Sequence, residues 1–241
     1  MVHGTFWSKV WAPMMDALER QFRCVAVDLP GFGRSGGELT PEQATVPALA
    51  EVVGRVADAL GFATFDRAGH DIGGGVVQHL AATTDRVGRL VLMYGVLLDS
   101  WPVPAVQRFR DPEMGAATSV DDPIGARTAA TRRAVARPLG EDEVAEYVSP
   151  WRDPARCRSW MAMAAAADSR FTLDLVPALI DAAVPTRLVW GRDDEFQRIE
   201  YARRYVKAVP HADLVEVSGK HIPTEDDPAA VTAAIEQRLL A

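Results

Sequence analysis

Val46, Leu49, Val52, Val53, Val56 and Leu60 stand three or four residues apart, the spacing that lines one face of a helix with apolar side chains. Ahead of them "RCVAVD" at 23–28 is a short apolar run rich in valine and reads as a strand, and the chain returns after the helix through a second run, "ATFDRAG" at 63–69. "VVQHLAATT" continues as a helix, and "RLVLMYGV" at 89–96, "TRLVWG" at 186–191 and "ADLVEVSG" at 212–219 read as further strands. Strands alternating with helices predict an α/β fold, a mostly parallel sheet flanked by helices. Between about 98 and 180 the pattern changes, with prolines, arginines and short helical segments in place of strands. That stretch reads as a helical lid inserted after a core strand. The expected organisation is a first core part at 1–97, the lid at 98–180 and a second core part at 181–241.

Composition narrows the function classes. With 241 residues, 48% of them apolar, the chain can fill the core of one large α/β domain. A net charge of −7 argues against a nucleic-acid partner, which calls for a basic patch. Cys24 and Cys157 make neither a zinc spacing nor a disulfide framework and read as inert thiols in a reducing compartment. No apolar stretch reaches the roughly 18 residues of a membrane span, and the N-terminus lacks the form of a signal peptide. A cytoplasmic protein with no membrane partner is expected; oligomeric state is not legible.

Two glycine clusters could carry chemistry. "GFGRSG" at 31–36 matches a dinucleotide-binding fingerprint in form, but "GELTPEQAT" intervenes where a helix would have to begin, so a structural turn is the better reading. "GHDIGG" at 69–74 lies between a predicted strand and a predicted helix. A sharp turn there would lift its central side chain above the strand ends, with flanking glycines permitting the tight backbone and close helix packing. That central residue is Asp71. As an isolated residue it could simply cap the helix; in this hexapeptide it reads as functional.

"HG" at 3–4, "DLPGFGRS" at 28–35, "GHDIGG" at 69–74, "VWGRDD" at 189–194 and "GKHIPTEDDP" at 219–228 run nearly the whole chain outside the lid. Together they resemble the α/β-hydrolase family, in particular its epoxide hydrolase and haloalkane dehalogenase branch, whose nucleophile is an aspartate. The resemblance implies Asp71 as nucleophile, His221 as the base that activates water, and Asp194 as the acid that orients His221, with Asp193 its adjacent alternative. It also implies an oxyanion hole from the backbone N–H groups of Thr5 and Ile72, and no metal or organic cofactor. The residue types suit the chemistry, since an ionised carboxylate can attack an sp3 carbon directly and leaves an ester to be hydrolysed.

The partner is a small-molecule substrate, and the leading expectation is an epoxide. Tyr147, the only tyrosine of the lid stretch, is the expected proton donor to the opening oxygen, with plain packing its other reading. Phe6, Trp101, Trp151 and Trp160 are candidates to line the pocket or simply to pack. Haloalkane dehalogenation or ester hydrolysis on the same scaffold is the alternative, although Ile72 stands where dehalogenases of this kind typically have tryptophan. A ligand-binding protein that retains the triad without turnover is the alternative of another class. The chain opens "MVHG", whereas the resemblance implies further strands upstream, so the N-terminal strands are expected to be absent. Arg67 falls at a strand position where an apolar residue is expected, and a buried arginine there needs a partner.

Overall fold

Apolar runs become the strands of one six-stranded, all-parallel sheet in a computed structural model that describes residues 1–111, 113 and 123–240. The strands are β1 (Val2–His3), β2 (Val27–Asp28), β3 (Phe65–His70), β4 (Val87–Met93), β5 (Thr186–Gly191) and β6 (Ala212–Val217), in the order β2-β1-β3-β4-β5-β6. Ala68, Gly69 and His70 lie opposite Val91, Leu92 and Met93, and β4 and β5 are apolar on both faces because helices cover both. The sheet grows one way from β1 to β2 and the other way from β3 onward, so the gap between β1 and β3 is the topological switch point. In open parallel sheets, ligands bind outside the carboxyl ends of the strands at that point.

The helix expected from the valine and leucine spacing is α2 (Val46–Ala59), following α1 (Ala12–Leu18). The Thr45 side chain caps α2 by accepting from the Ala48 amide, and Leu49 and Val53 are fully buried. The run at 23–28 forms a ladder only at Val27–Asp28, shorter than predicted. Its neighbour β1 is two residues long, and beyond it only Met1 reaches the run, bonding Val25 and Val27. Arg67 is buried, as its position implied, and it has no ion-pair partner among the described residues. Its guanidinium stands 3.2 Å from the Phe65 ring, with Nε and Nη2 unbonded. Burial and nearby Arg86 pull its pKa down to about 9. It lines a cavity of about 250 Å3 beside Met1, Cys24 and Phe65, at the amino ends of β1 and β3.

Between β4 and β5 the described residues hold helices and no strand. The longer ones are α5 (Pro123–Ala134), α6 (Glu141–Val148) and α7 (Pro154–Ala165), after the single-turn α4 (Pro104–Gln107). This insert packs over the carboxyl ends of the strands, where its side chains meet those of the core.

Candidate active site

The turn at Asp71 is built from close backbone contacts. β3 ends at His70 and α3 (Ile72–Thr83) begins at Ile72, leaving Asp71 alone between them at φ 52°, ψ −126°. A side-chain-bearing residue held there stores about 1–3 kcal/mol of strain, so its surroundings must enforce it. The Asp71 carbonyl accepts from the amides of Gly74 and Val96, each at 2.9 Å. A Cβ at Gly73 would stand 2.1 Å from the carbonyl oxygen of Val2, and one at Gly74 would stand 2.5 Å from the Cα of Gly95. Glycine at these two positions lets α3 press directly on β1 and on the loop after β4. Asp71 is thereby presented above the strand ends.

His221 follows β6, and Asp194 follows β5. The His221 Nδ1 lies 2.9 Å from Asp194 Oδ2, and both residues are buried. The carboxylate accepts, so Nδ1 carries the proton and Nε2 is the ring's free acceptor when the ring is neutral. The other Asp194 oxygen accepts from the Phe196 amide at 2.7 Å, whereas Asp193 is exposed. This decides between the two adjacent acids as partner of His221. His70 is structural in a definite way: its Nε2 donates to the His221 carbonyl at 2.6 Å, bracing the loop that carries His221. Burial drives His70 well below its ordinary value, with the neighbouring histidines acting in the same direction, and it stays neutral.

The charges of the site are coupled. Burial raises the Asp71 carboxyl above its ordinary value, against the pull of His221, the Ile72 amide and Arg127. Burial alone would lower His221, but the charge and hydrogen bond of Asp194, with the charge of Asp71, outweigh it and hold the imidazole above its usual range.

Thr5, Phe6, Asp71, Ile72, Trp101, Trp160 and His221 line one cavity of about 510 Å3, a size suited to a small molecule. Asp194 stands behind His221, out of the cavity. Two expected residues lie elsewhere. Trp151 is buried beneath the guanidinium of Arg127, 3.8 Å from it. Tyr147 is buried in α6, and its hydroxyl donates to Glu225 Oε1 at 2.7 Å, so packing is the reading that its position fits. The cavity also takes in Val103, Val106, Arg127, Arg133, Glu195, Phe196 and Gln197, none of which the sequence singled out. Phe196 and Gln197 follow Asp194 so closely that their neighbourhood was implied. Nothing in the spacing of the insert's arginines says which of them turns inward.

Residues 1–228 match the family described as alpha/beta hydrolase fold. The chain belongs to this α/β hydrolase fold family. Over 112 residues it is 38% identical to a Caulobacter sp. (strain K31) protein provisionally named the carbamate hydrolase RutD, a match covering 46% of the chain and only 39% of that relative's length. It is 28% identical to "Haloalkane dehalogenase 2" of Mycobacterium bovis over 99% of the chain and 86% of the relative. The crystal structure of an alpha/beta hydrolase fold protein from Burkholderia ambifaria superposes with a TM-score of 0.84 at 26% identity, covering 98% of this chain and 88% of that one. The hydrolase names among these relatives support reading the chain as an enzyme.

Proposed function

We propose that the chain is a hydrolase in which Asp71 attacks an sp3 carbon of a small substrate and His221, held by Asp194, hydrolyses the resulting ester. The observation that carries this reading is the strained Asp71 turn opening into the same cavity as His221, whose ring is bonded to buried Asp194 behind it. In the first step an Asp71 carboxylate oxygen bonds to carbon while the leaving group departs with the bond's electron pair. In the second, His221 Nε2 takes a proton from water, and the hydroxide adds to the Asp71 carboxyl carbon. In this reading the backbone N–H groups of Thr5 and Ile72 receive the negative charge that forms, and one such donor contributes about 3 kcal/mol in comparable sites. Collapse expels the alcohol, which takes the proton from His221, and leaves Asp71 a carboxylic acid that releases its proton to become the carboxylate again. Substrate and water yield an alcohol, a proton and the departed anion.

The leaving group is read from what lines the cavity. An epoxide oxygen needs a proton as it opens, and Tyr147 spends its hydroxyl on Glu225. Among the described lining residues the only hydroxyl belongs to Thr5. A halide needs no proton, and the indole N–H groups of Trp101 and Trp160 make no hydrogen bond among the described residues. The full-length similarity to a haloalkane dehalogenase points the same way. Dehalogenation is therefore the preferred reaction, and epoxide opening is second. The test is intact-protein mass of His221→Gln after mixing with panels of haloalkanes and epoxides. An alkyl increment on the Asp71 peptide is expected, minus the halide for a haloalkane and of the whole substrate for an epoxide. Turnover by the native protein with no increment on the variant, even at short times, would rule out the covalent route.

A further inference from the structure

Two arginines reach the cavity that holds Asp71 and His221, and they are not equivalent. Arg133 donates to Glu195 at 3.0 Å and lies over the Phe196 ring, so its charge is locally answered. Arg127, on α5, has no carboxylate partner and no hydrogen bond among the described residues. It is held instead by two indoles, with its guanidinium 3.8 Å from the Trp151 ring centroid and 5.3 Å from that of Trp160. Contact with an aromatic face fixes a cation in place while using none of its N–H groups, so the five donors of the guanidinium remain available. Burial lowers its pKa to about 10, against the opposing charge of Asp71.

The charge balance of the reaction gives this cation a task. With a neutral substrate, attack by Asp71 converts the carboxylate into an uncharged ester and leaves Arg127 without a counter-charge in a half-buried site. With a substrate that carries its own carboxylate, the guanidinium stays neutralised after Asp71 is alkylated and the leaving group has gone. A guanidinium also matches a carboxylate in shape, since two parallel N–H groups meet two oxygens. We propose that Arg127 anchors a substrate carboxylate, so that the cavity takes small carboxylic acids bearing an electrophilic carbon. The electrophilic carbon rests on the reading of Asp71 as nucleophile; the anion subsite does not.

Binding of unreactive probes separates the two. Isothermal titration of the native protein with 3-phenylpropanoate and with 3-phenylpropanamide, which differ only in the charged group, should show the carboxylate binding at least about 10-fold tighter, as hydrogen bonds to a charged partner imply. Arg127→Met should erase the preference, and Arg127→Lys should retain part of it, because a point charge remains without the fork. Asp71→Asn should tighten the carboxylate by removing a like charge from the cavity. This arm reads the subsite whether or not Asp71 forms an adduct in the mass experiment. Equal affinities for the two probes, no binding of the carboxylate, or a preference that survives Arg127→Met would overturn the proposal. If Arg127→Met does not fold, Arg127→Gln takes its place under the same criterion.

Discussion

His221 can serve as a base only while its ring is neutral, and the side chains around it set when that is so. The Asp194 and Asp71 charges hold the folded pKa above the ordinary 6.5, despite burial pulling the other way. Ester hydrolysis should fall as pH drops through the His221 value, because protonation fills Nε2; in the alkyl-enzyme Asp71 is an uncharged ester, so the support for the imidazolium there comes from Asp194 alone. In Asp194→Asn the largest supporting charge is gone and burial dominates, so the inflection should move to lower pH. The rate should fall about 10⁴-fold, the scale seen when an orienting acid is replaced by its amide. Single-turnover hydrolysis across pH 5–9 tests both effects; an inflection that stays in place would mean that a group other than His221 controls the step.

The strand–turn–helix unit around Asp71 is where backbone contact outweighs local preference. Alanine is a better helix former than glycine by about 1 kcal/mol, so Gly→Ala in a helix stabilises where there is room. At Gly54 in α2 the new Cβ would sit 3.7 Å from Leu80 Cδ2, an ordinary contact, and Gly54→Ala should raise the melting temperature by about 2–4 °C for that gain. At Gly73 the Cβ would meet the Val2 carbonyl at 2.1 Å, and the displacement it forces, about 1–3 kcal/mol, reverses the sign. Gly73→Ala should melt lower and lose activity as Asp71 shifts; thermal melts of the pair check the contrast. Much of this unit was legible in the sequence: the apolar runs gave the strands from β3 onward, and "GHDIGG" gave the turn. The run at 23–28 was overread because strand length depends on a neighbour that its own residues do not describe. The two readings of Tyr147, proton donor or packing, stayed open for a related reason. Helical spacing fixes which face of α6 a residue occupies, but whether that face meets the cavity or the core depends on how the insert docks.

That docking ties the insert to the very loop that carries His221. The Ile222 amide donates to the Ala134 carbonyl at 2.8 Å, and the amides of Ala136 and Arg137 donate to Asp226. Arg137 bonds both Glu143 and Glu225, and Tyr147 completes the cluster by donating to the same Glu225, which is almost fully buried. A buried carboxylate is costly unless well supplied with donors, so these contacts fasten the insert to the loop of His221. Tyr147→Phe removes one donor and leaves Arg137 in place. A hydrogen bond to a charged group contributes about 1.5–3 kcal/mol, so the melting temperature should drop by roughly 3–12 °C. The rate of alkylation of Asp71 should stay within about threefold of the native value, because loss of a general acid would slow it by about 100-fold or more. Stopped-flow alkylation beside a thermal melt separates the two roles. A large loss of rate with an unchanged melt would return the hydroxyl to the chemistry of the cavity, whereas the reverse pattern makes Tyr147 the fastening between the insert and the loop of His221.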